Sequence, residues 1–148
     1  GARPVTLAFS ETRRALAAGV VDGTENPVSN FWTQGMHTVQ TDLSLTQHAY
    51  LGYAFVANQR FWESMAAPDR TLVSEALREA LHFGNQIADT QNDKALVALR
   101  EAGGTRIHVP APAQITRMRT AVEPVHTGLA RRIGAAWLDD ARKAIDGG

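Results

Sequence analysis

Asn26 carries a carboxamide with two donor hydrogens and an acceptor oxygen, a group suited to a carboxylate or hydroxyl on a small ligand. The same residue in front of Pro27 also reads as the cap of a helix opening at that proline, and the residues alone favour the cap. Glu25 beside it offers an acceptor to a ligand hydroxyl or a brace for a neighbouring side chain. A favourable charge near a helix start accounts for it equally well. His48 and Tyr50 are two positions apart, so an extended backbone puts both on one face, where an imidazole and a phenol could line a cleft. The plain alternative is a histidine satisfied within a sheet and a core tyrosine. Phe9 and Trp32 could each offer a ring for stacking, although burial in a core is the commoner fate of both.

Other chemistries are excluded more firmly. The chain has no cysteine, so disulfides and thiolate metal sites are absent. His37, His82, His108 and His126 lack any spacing that gathers metal ligands, and there is no HExxH. No GxSxG is present, and Gly103–Gly104 lacks the Lys and Ser/Thr of a phosphate-binding loop. The pairs Asp139–Asp140, Arg131–Arg132 and Arg142–Lys143 read as solvated faces. With 15 Lys+Arg against 15 Asp+Glu there is no electrostatic reason to expect nucleic acid or an anionic membrane as partner. No apolar run is long enough to span a bilayer. The reading is therefore of a binding site with no catalytic residue, metal or cofactor.

The elements that must position these residues can be read in order. The 148 residues are one domain's worth. Val5, Leu7 and Phe9 alternate as one face of a strand does, Ser10 is a good N-cap, and Gly19 can close the following helix in the left-handed conformation. Val20–Val21 read as a buried pair before a turn at Asp22–Gly23. A short helix is expected over 28–36, ended near Gly35. The near-continuous apolar stretch over 43–58 predicts a strand covered on both faces. Asn58 should cap a short helix reaching Met65. Pro68 should open a long helix that Gly103–Gly104 stop, with a short strand over 105–109. A last helix is expected from about Ile115 to Trp137, kinked or split at Pro124 and supporting a hinge.

Phe9–Ser10–Glu11 followed by ALxxGVVDGxEN over 15–26 resembles the signature of the extracytoplasmic solute receptors of TRAP transporters, the dicarboxylate-binding type. The runs Thr46–Gln47–His48–Ala49–Tyr50–Leu51–Gly52–Tyr53 and Val56–Ala57–Asn58–Gln59–Arg60–Phe61–Trp62 are similar to that family's next segment, and so is Glu123–Pro124–Val125–His126 to Ile133–Gly134. The resemblance implies an α/β chain, part of a type II periplasmic-binding-protein-like fold. It implies that residues 1–148 are the C-terminal portion of a two-lobe receptor: a second-lobe segment, the crossing strand and the terminal helices, a mixed sheet flanked by long helices. It turns Asn26 from a cap into a contact to a bound carboxylate and Phe9 into a pocket wall, with Glu25, His48, Tyr50 and Trp32 as further ligand-binding candidates.

The implied function is to bind an organic acid in the periplasm and deliver it to a sodium-driven membrane permease by lobe closure. The family's main carboxylate-binding arginine lies upstream of the Phe9 segment; Arg3, Arg13 and Arg14 do not match it, so weak binding by this stretch alone is expected. A truncated α/β unit should leave apolar surface open, which predicts a dimer, a segment swap or a complementing N-terminal chain. Two other readings stand beside this one. The first is a small hydrolase or isomerase using His48 with Glu25; the second is a helical interaction module without a ligand.

Overall fold

The computed structural model describes residues 1–146. Its helices are α1 (Thr12–Ala17), α2 (Val28–Thr33), α3 (Gln59–Ser64), α4 (Ala67–Ala102), α5 (Pro112–Ile133) and α6 (Ala135–Asp146); two strands, β1 (Asp42–Ser44) and β2 (Arg106–His108), pair into a small sheet. The chain divides into two compact units. The first comprises Gly1–Leu43 and Gln47–His108, the second Ser44–Thr46 and the chain from Val109 on.

Local chemistry sets most boundaries in the first unit. A 3-10 turn at Phe9–Glu11 leads into α1. That helix ends as glycine allows: Gly19 has φ +67°, the Val20 N–H donates to Ala15 O at 2.9 Å and the Gly19 N–H to Leu16 O at 3.2 Å. This reciprocal pair satisfies carbonyls that a helix end otherwise leaves open. Gly35, at φ +66°, closes α2 in the same region and starts a second 3-10 turn at Met36–Thr38. Asn58 accepts from the Phe61 N–H at 3.1 Å and so caps α3. Arg70 donates to Glu63 O and Met65 O at 3.1 and 2.9 Å, fixing the link into α4. Pro68 lies in the first turn of α4, and Gly103, at φ +68°, terminates it. At 36 residues α4 is about 54 Å long.

The core gathers where the C-terminal third of α4 meets α2. Leu16, Phe31, Met36 and Leu99 are buried together, with Val21, Val28, Trp32, Val39, Leu43 and Ile107 packed around them. Upstream on α4, Leu72 and Ile87 of the apolar stripe are exposed, as are Leu81 and Phe83. In the second unit α5 and α6 carry the same kind of stripe, and Val125, Ile133 and Trp137 are exposed. Arg142 donates to Glu123 Oε1 at 2.8 Å and joins the two helices.

Five expectations are corrected. Residues 1–8 form no strand, and Ser10 lies inside the 3-10 turn instead of capping a helix. Of 43–58 only the first residues belong to β1; Tyr50, Tyr53 and Val56 are 91%, 85% and 91% exposed. Strand propensity is realised only when the backbone pairs with a neighbouring strand, and neither residues 1–8 nor residues 45–58 do so among the described residues. Val20 is exposed, and only Val21 reaches the core. Finally, α5 runs unbroken through Pro124; the interruption comes ten residues later at Gly134, at φ +95° and ψ 140°. Pro124 forfeits one backbone bond, but a 22-residue helix still has many others.

Candidate functional site

The corner between α1 and α2 is built from residues that lock one another. Arg13 on α1 donates from Nε to Gly35 O at 3.2 Å and from Nη2 to Thr38 Oγ1 at 3.1 Å, pinning the turn after α2. Thr105, ahead of β2, donates to Gln40 O at 3.2 Å on the same turn. Trp32 stacks on His37, ring centroids 4.3 Å apart and planes 20° from parallel. Met36 beneath is fully buried.

Asn26 sits on this base, half-buried. It does not cap α2: Pro27 occupies the cap position, and no side chain of the turn bonds there. The carboxamide Nδ2 donates to Thr24 Oγ1 at 2.9 Å and lies 3.9 Å from Met36 Sδ. Neither contact uses the carboxamide oxygen. Pro27, at φ −55°, stiffens the step from Asn26 into the helix.

Glu25 and His48 come from segments 23 positions apart in the sequence and meet in the structure. His48 Nε2 is 3.6 Å from Glu25 Oε1, and the two side chains are 55% and 66% exposed. This separation is beyond hydrogen-bond length, and both side chains face solvent. Phe9, in the first 3-10 turn, is half-exposed instead of sealed in the interior, and Tyr50 is almost wholly exposed, its ring close over Gly52. Trp32 is engaged by His37 and the core. The structure thus joins Glu25 to His48, sets Asn26 on a rigid base and leaves Phe9 and Tyr50 at the surface.

Sequence reasoning missed a second polar cluster. Asp42 on β1 accepts a two-point grip from Arg106, Nε to Oδ1 at 2.9 Å and Nη2 to Oδ2 at 2.7 Å, and His108 Nε2 lies 2.7 Å from Oδ1. The Arg106 guanidinium first, then His108 and Thr41, hold the Asp42 carboxyl well below the usual carboxylate range; Asp42 in turn raises Arg106. The available signal was Arg106-x-His108, a guanidinium and an imidazole on one face of a short strand. A cavity of about 430 Å³ lies nearby, lined in part by His37, Gln40, Leu99, Ala102 and Thr105, and none of the six sequence-selected residues borders it. The Nδ1 of His37 is buried without a hydrogen-bond partner. Among the described residues no group of His, Asp and Glu could hold a metal ion, and no helix is long and apolar enough to cross a membrane.

Comparison with known proteins gives this geometry its context. The chain is 44% identical over 144 residues to the C4-dicarboxylate-binding periplasmic protein DctP of Rhodobacter capsulatus, covering 97% of this chain and 43% of that protein. Its fold matches a TRAP periplasmic solute binding protein from Shewanella oneidensis with bound succinate, at TM-score 0.87 and 29% identity over 90% of this chain and 44% of that one. A second such protein, from Sulfurospirillum deleyianum and also with bound succinate, matches at TM-score 0.85 and 34% identity, over 96% of this chain and 47% of that one. The chain therefore spans less than half the length of the relatives it matches. These neighbours have the periplasmic-binding-protein fold, of which the helices and small sheet described above are a part. Residues 1–132 match the model of the DctP family, bacterial extracellular solute-binding protein family 7, and the chain belongs to that family.

Proposed function

We propose that this chain is the C-terminal portion of the substrate-binding component of a TRAP-type transporter, which takes up an organic acid in the periplasm and hands it to a sodium-driven membrane permease. The observation that supports this most is the corner at Glu25–Asn26. A carboxamide on a rigid base stands beside an acidic residue and an imidazole, in a chain whose relatives hold succinate. In this reading Asn26 bonds one carboxylate of the ligand. Glu25 and His48 form the polar rim, Phe9 and Tyr50 supply aromatic walls, and Trp32 steadies the base through His37. The rest of the receptor contributes the opposite bank and covers the apolar residues at 50–56. The work is binding and closure, without covalent chemistry.

The test is a thermal-shift screen of succinate, malate and uncharged amide analogues, on this chain and on a version joined to the remaining lobe. Stabilisation grows as RT ln(1 + [L]/Kd), so weak binding leaves the shorter chain unmoved. The expected result is a response to the carboxylates in the longer version that falls about tenfold in affinity with Asn26→Ala, the loss of one charge-assisted bond. A longer version that ignores every carboxylate, or one that turns a substrate over through His48, would refute the reading.

A further inference from the structure

The helix that follows Asn26 is capped from a distance. α2 has six residues, too few to hold itself together in water. Its first N–H groups need acceptors, yet Pro27 at the cap position has no polar side chain to give one. The Ser29 N–H instead donates to Asn92 Oδ1 at 3.0 Å, across 63 positions of sequence. Asn92 stands on the part of α4 that packs against α2, one turn before the buried Ala95 and two before Leu99. Its own amide is oriented without ambiguity. Nδ2 donates back to Ala88 O at 3.3 Å, and only Oδ1 can accept from a backbone N–H.

We propose that Asn92 is a positioning residue for the ligand-contacting corner: by capping α2 at Ser29 it fixes where the chain leaves Pro27 and so where the Asn26 carboxamide points. The claim rests on the reading of Asn26 as a ligand contact. Hydrophobic packing of Phe31 and Met36 on Leu99 fastens α2 to α4, but apolar contact is not directional. The hydrogen bond that Asn92 Oδ1 accepts from the Ser29 N–H supplies the direction at the end of α2 that carries the site, three residues from Asn26 with a rigid proline between. A role confined to stability predicts a different pattern. Leucine is of similar size and a better helix former than asparagine, so Asn92→Leu removes the acceptor without weakening α4.

The experiment compares Asn92→Leu and Asn92→Asp with the unmodified chain by amide NMR, and measures succinate affinity in the longer receptor chain. Asn92→Leu should speed exchange of the Ser29 amide, shift the Asn26 side-chain amide resonances and lower succinate affinity about three- to tenfold. Asn92→Asp keeps an acceptor and should restore both resonances and affinity to within about twofold. The proposal is overturned if Asn92→Leu frees Ser29 while the Asn26 resonances stay in place, or if succinate affinity is unchanged in a receptor that Asn26→Ala weakens. Absence of succinate binding in the unmodified receptor counts against the carboxylate reading alone, because the coupling between Ser29 and Asn26 is read without ligand.

Discussion

Replacing Leu99 by alanine tests whether one small cluster holds the site together. Leu99 is 1% exposed and packs with Leu16, Phe31 and Met36, which is where α4 meets the elements on either side of Asn26. The substitution removes three carbons from a closed environment. At ~0.8 kcal/mol each the transfer loss is about 2.4 kcal/mol, and the cavity left behind brings the cost to roughly 3 kcal/mol, within the usual range for buried leucines. Helix propensity does not offset this, since alanine and leucine differ little. A loss of ~3 kcal/mol lowers the folding constant about 150-fold, a large share of the stability of a small core. Val97 is two residues away on the same helix and 51% exposed, so Val97→Ala should cost under about 0.5 kcal/mol. The assay is urea unfolding followed by Trp32 fluorescence, with Trp62 and Trp137 changed to Phe so that the ring packed on the core reports alone. Equal costs for Leu99→Ala and Val97→Ala, or a cost below about 1 kcal/mol for the first, would refute the reasoning.

Two further outcomes follow from particular geometries. Asp42 is held ionised by Arg106, so its folded-state pKa lies below its ordinary 3.8. Its contribution to stability is complete above that ordinary value and is lost as pH falls below it towards the folded-state pKa. The stability gap between the unmodified chain and Asp42→Asn should therefore narrow on acidification below pH 3.8, read from urea midpoints across a pH series; a gap that widens in acid would contradict the ion-pair account. Gly103 has φ +68° with open space around the place a Cβ would take, and Gly104 has neither a positive φ nor a near neighbour. Gly103→Ala should cost about 1 kcal/mol from backbone strain alone, and Gly104→Ala little, in the same unfolding assay.

How much of this was legible in the residues depends on the range of the interactions. Gly19, Gly35, Asn58, Pro68 and Gly103 act on backbone within a few positions, and the structure uses each where the sequence places it. The strands expected over 4–9 and 43–58 failed because pairing is not local: alternation says which face a side chain would take, not whether an edge is at hand. Pro124 misled for a related reason, since its local penalty is outweighed by a helix that continues on both sides, while Gly134 provides the actual break. The grip of Arg106 and His108 on Asp42 spans more than sixty residues, and nothing in the local pattern of Asp42 announces it.

The candidate site shows both ranges at once. Glu25 and Asn26 could be chosen from the sequence because the turn that presents them is local, but what each one does is decided from far away. Asn26 does not cap α2, since Pro27 holds the cap position and Asn92, 63 residues on from Ser29, accepts the Ser29 N–H; the carboxamide is turned towards Thr24 and Met36. Glu25 acquires an imidazole neighbour only because the extended segment after β1 passes close by. A cap supplied by a long helix also places the orientation of the corner under the control of residues that touch no ligand. Substitutions at the buried positions of the last third of α4, Ala95 and Leu99, should then change affinity by redirecting the corner, with no change in the chemistry offered to the ligand, whereas those on its exposed upstream stretch should leave affinity alone.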